Sequence, residues 1–126
     1  LRYGFLRNFD EAMVHLIRSE RVLYGRPELL VQDEQKKILI FRRKSCIFAL
    51  NFSPSGSYAD YGFAAPGGEW VDILDTDEAR FNGFGRIVPG EHHFTVAEKS
   101  PNGNPRYGDT LYLYLPARSA VVLKKL

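Results

Sequence analysis

The chain has 126 residues, 44% of them hydrophobic and 25% charged, which is the composition of one folded domain and excludes a disordered segment. Lys and Arg number 17 against 15 Asp and Glu, so the formal charge of +2 gives no support to a nucleic-acid partner. Because no apolar stretch reaches roughly 18 residues and no signal-peptide pattern is present, we expect a cytoplasmic protein without a membrane partner.

The first predicted element is a helix of roughly four turns. Its apolar residues recur with the spacing of three and four that lines one side of a helix: Phe9, Met13, Leu16 and Ile17. Asn8 or Asp10 is expected to cap its start. Gly25 followed by Pro27 is a stop signal, so the helix is predicted to end near Tyr24.

After Pro27 the pattern changes to short β-branched and aromatic runs separated by Gly, Pro, Asn, Asp and Ser. Eight strands are predicted, at residues 29–32, 37–43, 46–52, 58–63, 69–74, 92–97, 110–115 and 120–124. The chain is therefore divided into residues 1–25, a helix plus linker, and residues 26–126, a β domain.

Two of these strands differ in how their apolar residues are arranged. Residues 46–52 are apolar on both faces, which is typical of a central strand between two layers. In residues 110–115, by contrast, three leucines alternate with Tyr112 and Tyr114, and the last two strands are predicted to form a hairpin turning at residues 116–119. The pattern predicts a mainly β fold, an antiparallel two-sheet β-sandwich with Greek-key character preceded by one short N-terminal α-helix.

Histidines and acidic residues are the first candidates for a metal site. His92 and His93 are adjacent on a predicted strand and point to opposite faces, and His15 has no second ligand four residues away, so no metal is expected. A second group consists of acidic residues: Asp72, Asp75, Asp77 and Glu78. It lacks the glycine and final glutamate of a calcium loop, so we interpret it as a solvated turn whose Asp side chains accept hydrogen bonds from nearby amides.

Other motifs favour structural roles. The lone cysteine, Cys46, lies in an apolar run and is interpreted as a buried, unreactive thiol. The basic tract at residues 42–44 is interpreted as a charged hairpin turn. Gly83, Phe84 and Gly85 form half of a dinucleotide fingerprint, but neither the strand before it nor the helix after it is predicted, so no cofactor is expected.

Aromatic residues are the remaining candidates, because an exposed Tyr or Trp can stack on the apolar face of a sugar. They are concentrated in the β portion: Tyr58, Tyr61, Phe63, Trp70, Phe81, Phe84, Tyr107, Tyr112 and Tyr114. Since most must fill the core, only two or three are expected on the surface. Tyr58, Tyr61 and Trp70 are the predicted sugar-binding residues.

Several short tracts, in order along nearly the whole chain, resemble the glucan branching enzyme family. Within residues 1–13, an Asn-Phe-Asp…Ala-Met stretch is similar to the last helix of that family's catalytic barrel. The tracts that resemble its C-terminal domain lie at residues 38–43, 48–54, 57–61, 66–68, 73–77, 81–86 and 113–120.

The resemblance implies a parent enzyme of the α-amylase superfamily, active in glycogen or starch synthesis, that cuts an α-1,4 glucan and rejoins it as an α-1,6 branch. It also implies a retaining mechanism with an aspartate nucleophile and a glutamate acid/base in a (β/α)8 barrel. Those motifs have no matching positions here, so this chain is expected to contain no catalytic residue.

Two functions then compete. The chain is either a non-catalytic domain that stabilises the catalytic barrel of the same polypeptide, with glucan contact as an additional role, or an autonomous carbohydrate-binding module. Without the barrel, the apolar side of the helix must be covered by the sandwich or by a second copy. Self-association is therefore expected through Phe5, Phe9, Met13 and Leu16.

Overall fold

The computed structural model describes residues 2–20 and 26–126, without the side chains at positions 2–6, 9, 10, 17 and 20. Helix α1 spans Arg2–Glu20, and a short 3-10 helix spans Ala79–Phe81. Eight strands follow α1: β1 (Glu28–Asp33), β2 (Ile38–Arg43), β3 (Cys46–Asn51), β4 (Tyr58–Ala65), β5 (Glu69–Asp75), β6 (His92–Phe94), β7 (Asp109–Leu115) and β8 (Ser119–Lys125).

All eight predicted strands are present, and only β6 departs clearly from its predicted length. It ends at Phe94, because after Thr95 the chain leaves β5 and forms a bridge with the other sheet, between Val96 and Thr110. The basic tract at residues 42–44 leads into the β2–β3 turn, as expected, and Lys44 adopts a positive φ of 54° there.

The start of α1 differs from the prediction. The helix already includes Arg2, so Asn8 and Asp10 lie inside it and neither caps its start. The Asn8 side-chain nitrogen instead lies 3.5 Å from the carbonyl oxygen of Arg80. The predicted end near Tyr24 lies outside the described residues. No helix in the described ranges has the length and apolar character to cross a membrane.

The strands form two antiparallel sheets, which confirms the predicted sandwich. The large sheet has the order β1-β2-β3-β8-β5-β6, and the small sheet pairs β4 with β7. The last strand, β8, is inserted between β3 and β5, a non-sequential order of the kind that Greek-key connections produce.

The predicted hairpin between the last two strands is wrong. β7 belongs to the small sheet and β8 to the large sheet, so the turn between them carries the chain across the sandwich. Arg118 adopts a φ of 56° in this turn, and the Ser119 hydroxyl, which donates to the Pro116 carbonyl at 2.6 Å, stabilises it. Alternating hydrophobicity sets which face of a strand is buried but leaves its hydrogen-bonding partner open.

The core has two parts, one on each face of the large sheet. The main core fills the space between the sheets and includes Ile47 and Ala49 of β3. The second core lies on the outer face, under α1, and includes Cys46 of the same strand, with Phe48 packed against it. β3 is thus buried on both faces, as predicted, and the Cys46 thiol is buried.

Candidate functional site

The first candidate site is the contact between α1 and the large sheet. Leu16 is buried in one apolar cluster with Cys46, Leu74 and Val122, and Met13 packs at its edge. Leu16 and Met13 are therefore covered by the chain's own sheet. The side chains of Phe5 and Phe9 lie outside the described residues, so self-association through these four residues stays a prediction.

A groove of about 580 Å³ lies between α1 and the sandwich. Its helix side carries Asn8, Glu11 and His15, and its sandwich side carries Ile73 and Arg80. The groove mixes polar and apolar groups and is open along one side of α1, so α1 leaves part of this surface uncovered.

Beside this groove, the loop between β5 and β6 is organised around one carboxylate. Asp77 is buried and accepts hydrogen bonds from the backbone amides of Phe84 and Arg86. The Arg86 guanidinium donates to Asp77 Oδ1 through Nη2 at 2.8 Å and also donates to the Ala117 carbonyl at 3.1 Å. We call Asp77 and Arg86 the loop clamp.

The electrostatics of the loop clamp follow from these contacts. Burial by itself raises the pKa of Asp77, but the hydrogen bonds from Arg86 and from the two amides outweigh it and hold the pKa below its ordinary value. Asp77 is therefore ionised at neutral pH, and its charge is balanced by Arg86.

The acidic group is not the solvated turn that we expected. The side chains of Asp72 and Asp75 are 3% and 1% exposed. A bulge in β5 between Asp72 and Leu74 lets residues three apart share a face, so Asp72 opposes Leu123 and Asp75 opposes Val121 of β8. The amide contacts were predicted correctly, since Asp75 Oδ1 accepts from the Asp77 amide at 3.0 Å.

Asp72 and Asp75 form a buried acid pair. Both carboxylate oxygens of Asp72 and Oδ2 of Asp75 find no hydrogen-bond partner among the described residues when both groups are ionised. Burial, and after it the charge of Asp75, raises the pKa of Asp72 to about 8, while burial and the charge of Glu78 raise the pKa of Asp75 to about 6. A proton kept on Asp72 and donated to Asp75 gives two of these three oxygens a hydrogen-bond partner.

The three predicted glucan-binding residues are not brought together on a surface. Trp70 is 0% exposed, fills the main core and donates its indole N–H to the Pro66 carbonyl at 3.1 Å. The prediction that Trp70 is an exposed stacking platform is therefore wrong, because β5 directs this side chain inward, between the sheets. Tyr58 is the first residue of β4 and Pro66 follows the last, so Trp70 contacts the chain at the end of β4 opposite to Tyr58.

Tyr58 and Tyr61 do lie together, with ring centroids 6.1 Å apart. Lys36 Nζ lies 5.2 Å and 5.7 Å from their ring centres, and the Tyr61 hydroxyl donates to Asp33 at 2.9 Å. Burial, with Asp33 nearby, raises the pKa of Tyr61 to about 12. Tyr61 is itself buried, so the prediction that it is exposed is wrong, and Tyr58 is only half-buried.

Among the tyrosines whose side chains the structure describes, the exposed ones are Tyr112 and Tyr114, on the outer face of the small sheet. Gly62 of β4 pairs with Tyr112, and a Cβ at Gly62 would lie 2.6 Å from the Tyr112 ring, so this ring lies over bare backbone. The alternation of leucine and tyrosine in β7 was the available sequence signal for this surface.

The histidines do not form a metal centre. His92 Nδ1 lies 2.6 Å from Glu69 Oε2, while His93 faces a small cavity of about 40 Å³ that Asp72 also lines. Burial lowers the pKa of His93. Within the described part of the chain, no three His, Cys, Asp or Glu side chains are placed to hold a metal ion together.

Comparison with known proteins identifies the domain type. Residues 29–125 match the family described as the alpha amylase C-terminal all-beta domain. The chain is 38% identical to the 1,4-alpha-glucan-branching enzyme of Dictyostelium discoideum, with 99% of this chain and 18% of that protein aligned. It is 36% identical to the enzymes of the same name from Debaryomyces hansenii and Emericella nidulans, each aligned over 98% of this chain and 18% of their length.

The chain thus spans about a fifth of the length of these relatives. The matched range contains all eight strands apart from the first residue of β1. On this match, the chain belongs to the family of alpha-amylase C-terminal all-beta domains.

Proposed function

We propose that this chain is the non-catalytic C-terminal domain of a 1,4-α-glucan branching enzyme and that it stabilises the catalytic barrel of the same polypeptide. The parent protein would cut α-1,4 links and form α-1,6 links in a region that precedes residue 1. Residues 1–25 would be the last barrel helix and its linker, and residues 26–126 the supporting domain.

The observation that carries this proposal is the second core. Leu16 of α1 and Leu74 and Val122 of the large sheet are buried against one another. If α1 belongs to the barrel, the barrel and the sandwich share one apolar cluster and cannot separate without exposing it. Burying side chains of this size stabilises by roughly 1.5–3 kcal/mol each.

The proposal is tested in the full-length protein by Leu16→Ala, with Val14→Ala as the matched control on the exposed side of the same helix. Leu16→Ala should shorten the half-life of branching activity during heating, while Val14→Ala should leave it close to that of the unchanged protein. Equal half-lives for all three proteins, or branching activity in the 126-residue chain alone, would contradict the proposal.

A second function, glucan binding, is favoured by the outer face of the small sheet. Tyr112 and Tyr114 are exposed there, and the Tyr112 ring lies over Gly62, which has no side chain to hide it. Stacking of such rings on sugars supplies affinity without any catalytic group. Under this proposal the platform consists of Tyr112 and Tyr114, and Tyr58 is at most a neighbouring contact.

Affinity electrophoresis in gels containing glycogen tests glucan binding. Tyr112→Ala together with Tyr114→Ala should remove the retardation, whereas Phe52→Ala, at an exposed aromatic after β3, should keep it. Trp70→Ala is unsuitable as a test because it damages the main core. If the unchanged chain is not retarded, the domain has only the supporting role.

A further inference from the structure

The most exposed large apolar side chain in the described residues is Phe84, at 85% exposure. Single exposed apolar residues are common on protein surfaces and need no explanation by themselves. Phe84 differs because hydrogen bonds to Asp77 hold the chain on both sides of it, so the loop that exposes it is an ordered one.

Three successive amides around Phe84 donate to one residue. The amides of Phe84 and Arg86 donate to the Asp77 carboxylate, and the Gly85 amide donates to the Asp77 carbonyl at 2.6 Å. Gly83 packs so closely that a Cβ there would overlap the Asp77 backbone, and Gly85 has a φ of +66°. A side chain held in place before binding loses little conformational entropy when it binds.

The charges around Phe84 are balanced within the loop. The Arg86 guanidinium carbon lies 5.0 Å from the centre of the Phe84 ring, and Arg86 is paired with Asp77. The neighbouring Arg80 is paired with Glu78 at 3.0 Å. The cation beside the ring is therefore neutralised and the ring is still largely exposed, so burying the ring in an apolar pocket leaves no unpaired charge.

The position of the loop indicates which partner it meets. Its 3-10 helix contacts the N-terminal half of α1, where Asn8 lies against Arg80. Because a helix rises about 1.5 Å per residue, the start of α1 lies only about 10 Å beyond Asn8. A region joined to the start of α1 is thus brought to the same side of the molecule as the loop that carries Phe84.

We propose that Phe84, fixed by the loop clamp, is an anchor that inserts into an apolar pocket on the region preceding α1 in the same polypeptide. The inference rests on the proposed function, because it needs the preceding region to exist as a folded partner. In the relatives, the matched part is 18% of the length, so the remaining chain is long enough to form such a partner. A few well-packed side chains, often aromatic, carry most of the binding energy of a protein interface.

Photo-crosslinking tests the contact directly. Phe84→p-benzoylphenylalanine in the full-length protein should crosslink within the same polypeptide, to a peptide that precedes α1. The matched control is Phe94→p-benzoylphenylalanine, at a site on β6 that is 67% exposed and lies outside the clamped loop. Absence of a Phe84 crosslink to the preceding region, or an equally efficient Phe94 crosslink there, would overturn the proposal.

Limited proteolysis supplies a second readout. Phe84→Ala in the full-length protein should raise the overall rate of proteolytic cleavage by roughly tenfold, whereas Phe94→Ala should not. If both variants behave alike while Leu16→Ala still shortens the half-life of activity, the anchor is refuted and the proposed supporting function stands. Loss of glycogen retardation with unchanged cleavage would mean that Phe84 contacts glucan, and would also overturn the anchor.

Discussion

The two sheets differ in what covers their outer faces. The large sheet is covered on its outer face by α1 through the second core, so β3 is buried on both sides. The small sheet has an apolar inner face, and its outer face carries the exposed Tyr112 and Tyr114. A sheet that is buried on both faces has a structural role, whereas a sheet with one exposed face can bind a ligand there.

The largest expected change in stability comes from a substitution in the main core, on the inner face of the large sheet. Trp70→Ala removes a fully buried ring and the indole hydrogen bond to Pro66, so the free energy of unfolding should fall by about 3–5 kcal/mol. Urea denaturation of the 126-residue chain measures it. The exposed Phe52→Ala should stay within about 0.5 kcal/mol, and a similarly small change for Trp70→Ala would mean that the ring is not in the core.

The acid pair on the same inner face predicts a pH dependence. Because the pKa of Asp72 is raised to about 8 from 3.8, the folded state holds this proton more tightly than the unfolded chain. The stability that Asp72 contributes is fully present below about pH 4 and is lost as the pH rises towards about 8.

Asp72→Asn, which stays neutral and can still donate to Asp75, should remove that loss. We expect the variant to be more stable than the unchanged chain by on the order of 1–2 kcal/mol near pH 8, with a smaller difference near pH 5. Urea denaturation at a series of pH values measures it. Asp60→Asn, at an exposed position on β4, is the control, and identical pH profiles for all three chains would refute the shared proton.

A smaller effect is expected at the inner edge of the small sheet. Tyr61→Phe keeps the buried ring but removes the hydrogen bond to Asp33, so the free energy of unfolding should fall by about 1 kcal/mol. The same substitution at Tyr112, whose hydroxyl makes no hydrogen bond among the described contacts, should have no measurable effect. Equal losses at the two positions would show that the Asp33 contact contributes nothing specific.

The smallest change in stability is expected on the outer face of the small sheet. Gly62→Ala places a methyl group against the Tyr112 ring, which is exposed and can move aside. The free energy of unfolding should therefore change by less than about 1 kcal/mol. If Tyr112 forms a glucan platform, moving it should still weaken retardation by glycogen. Undiminished retardation would separate glucan binding from this ring.

The sequence by itself determined where the strands and the helix lie and which faces of β3 and β7 are buried. Periods of two and of three to four residues are local, so eight strands, one helix and the two apolar faces of β3 could be predicted from them. The short tracts that lie in order along the chain, such as residues 57–61 and 81–86, also indicated the family without any knowledge of tertiary contacts.

Tertiary structure decided which strands pair and which polar groups are buried. The β7–β8 turn crosses between sheets because each strand finds its hydrogen-bonding partner far along the chain, at β4 and at β3 and β5. A bulge in β5 turns Asp72 and Asp75 inward together, and Arg86 finds Asp77 nine residues away. Such pairings depend on contacts distant in sequence, which no local period encodes.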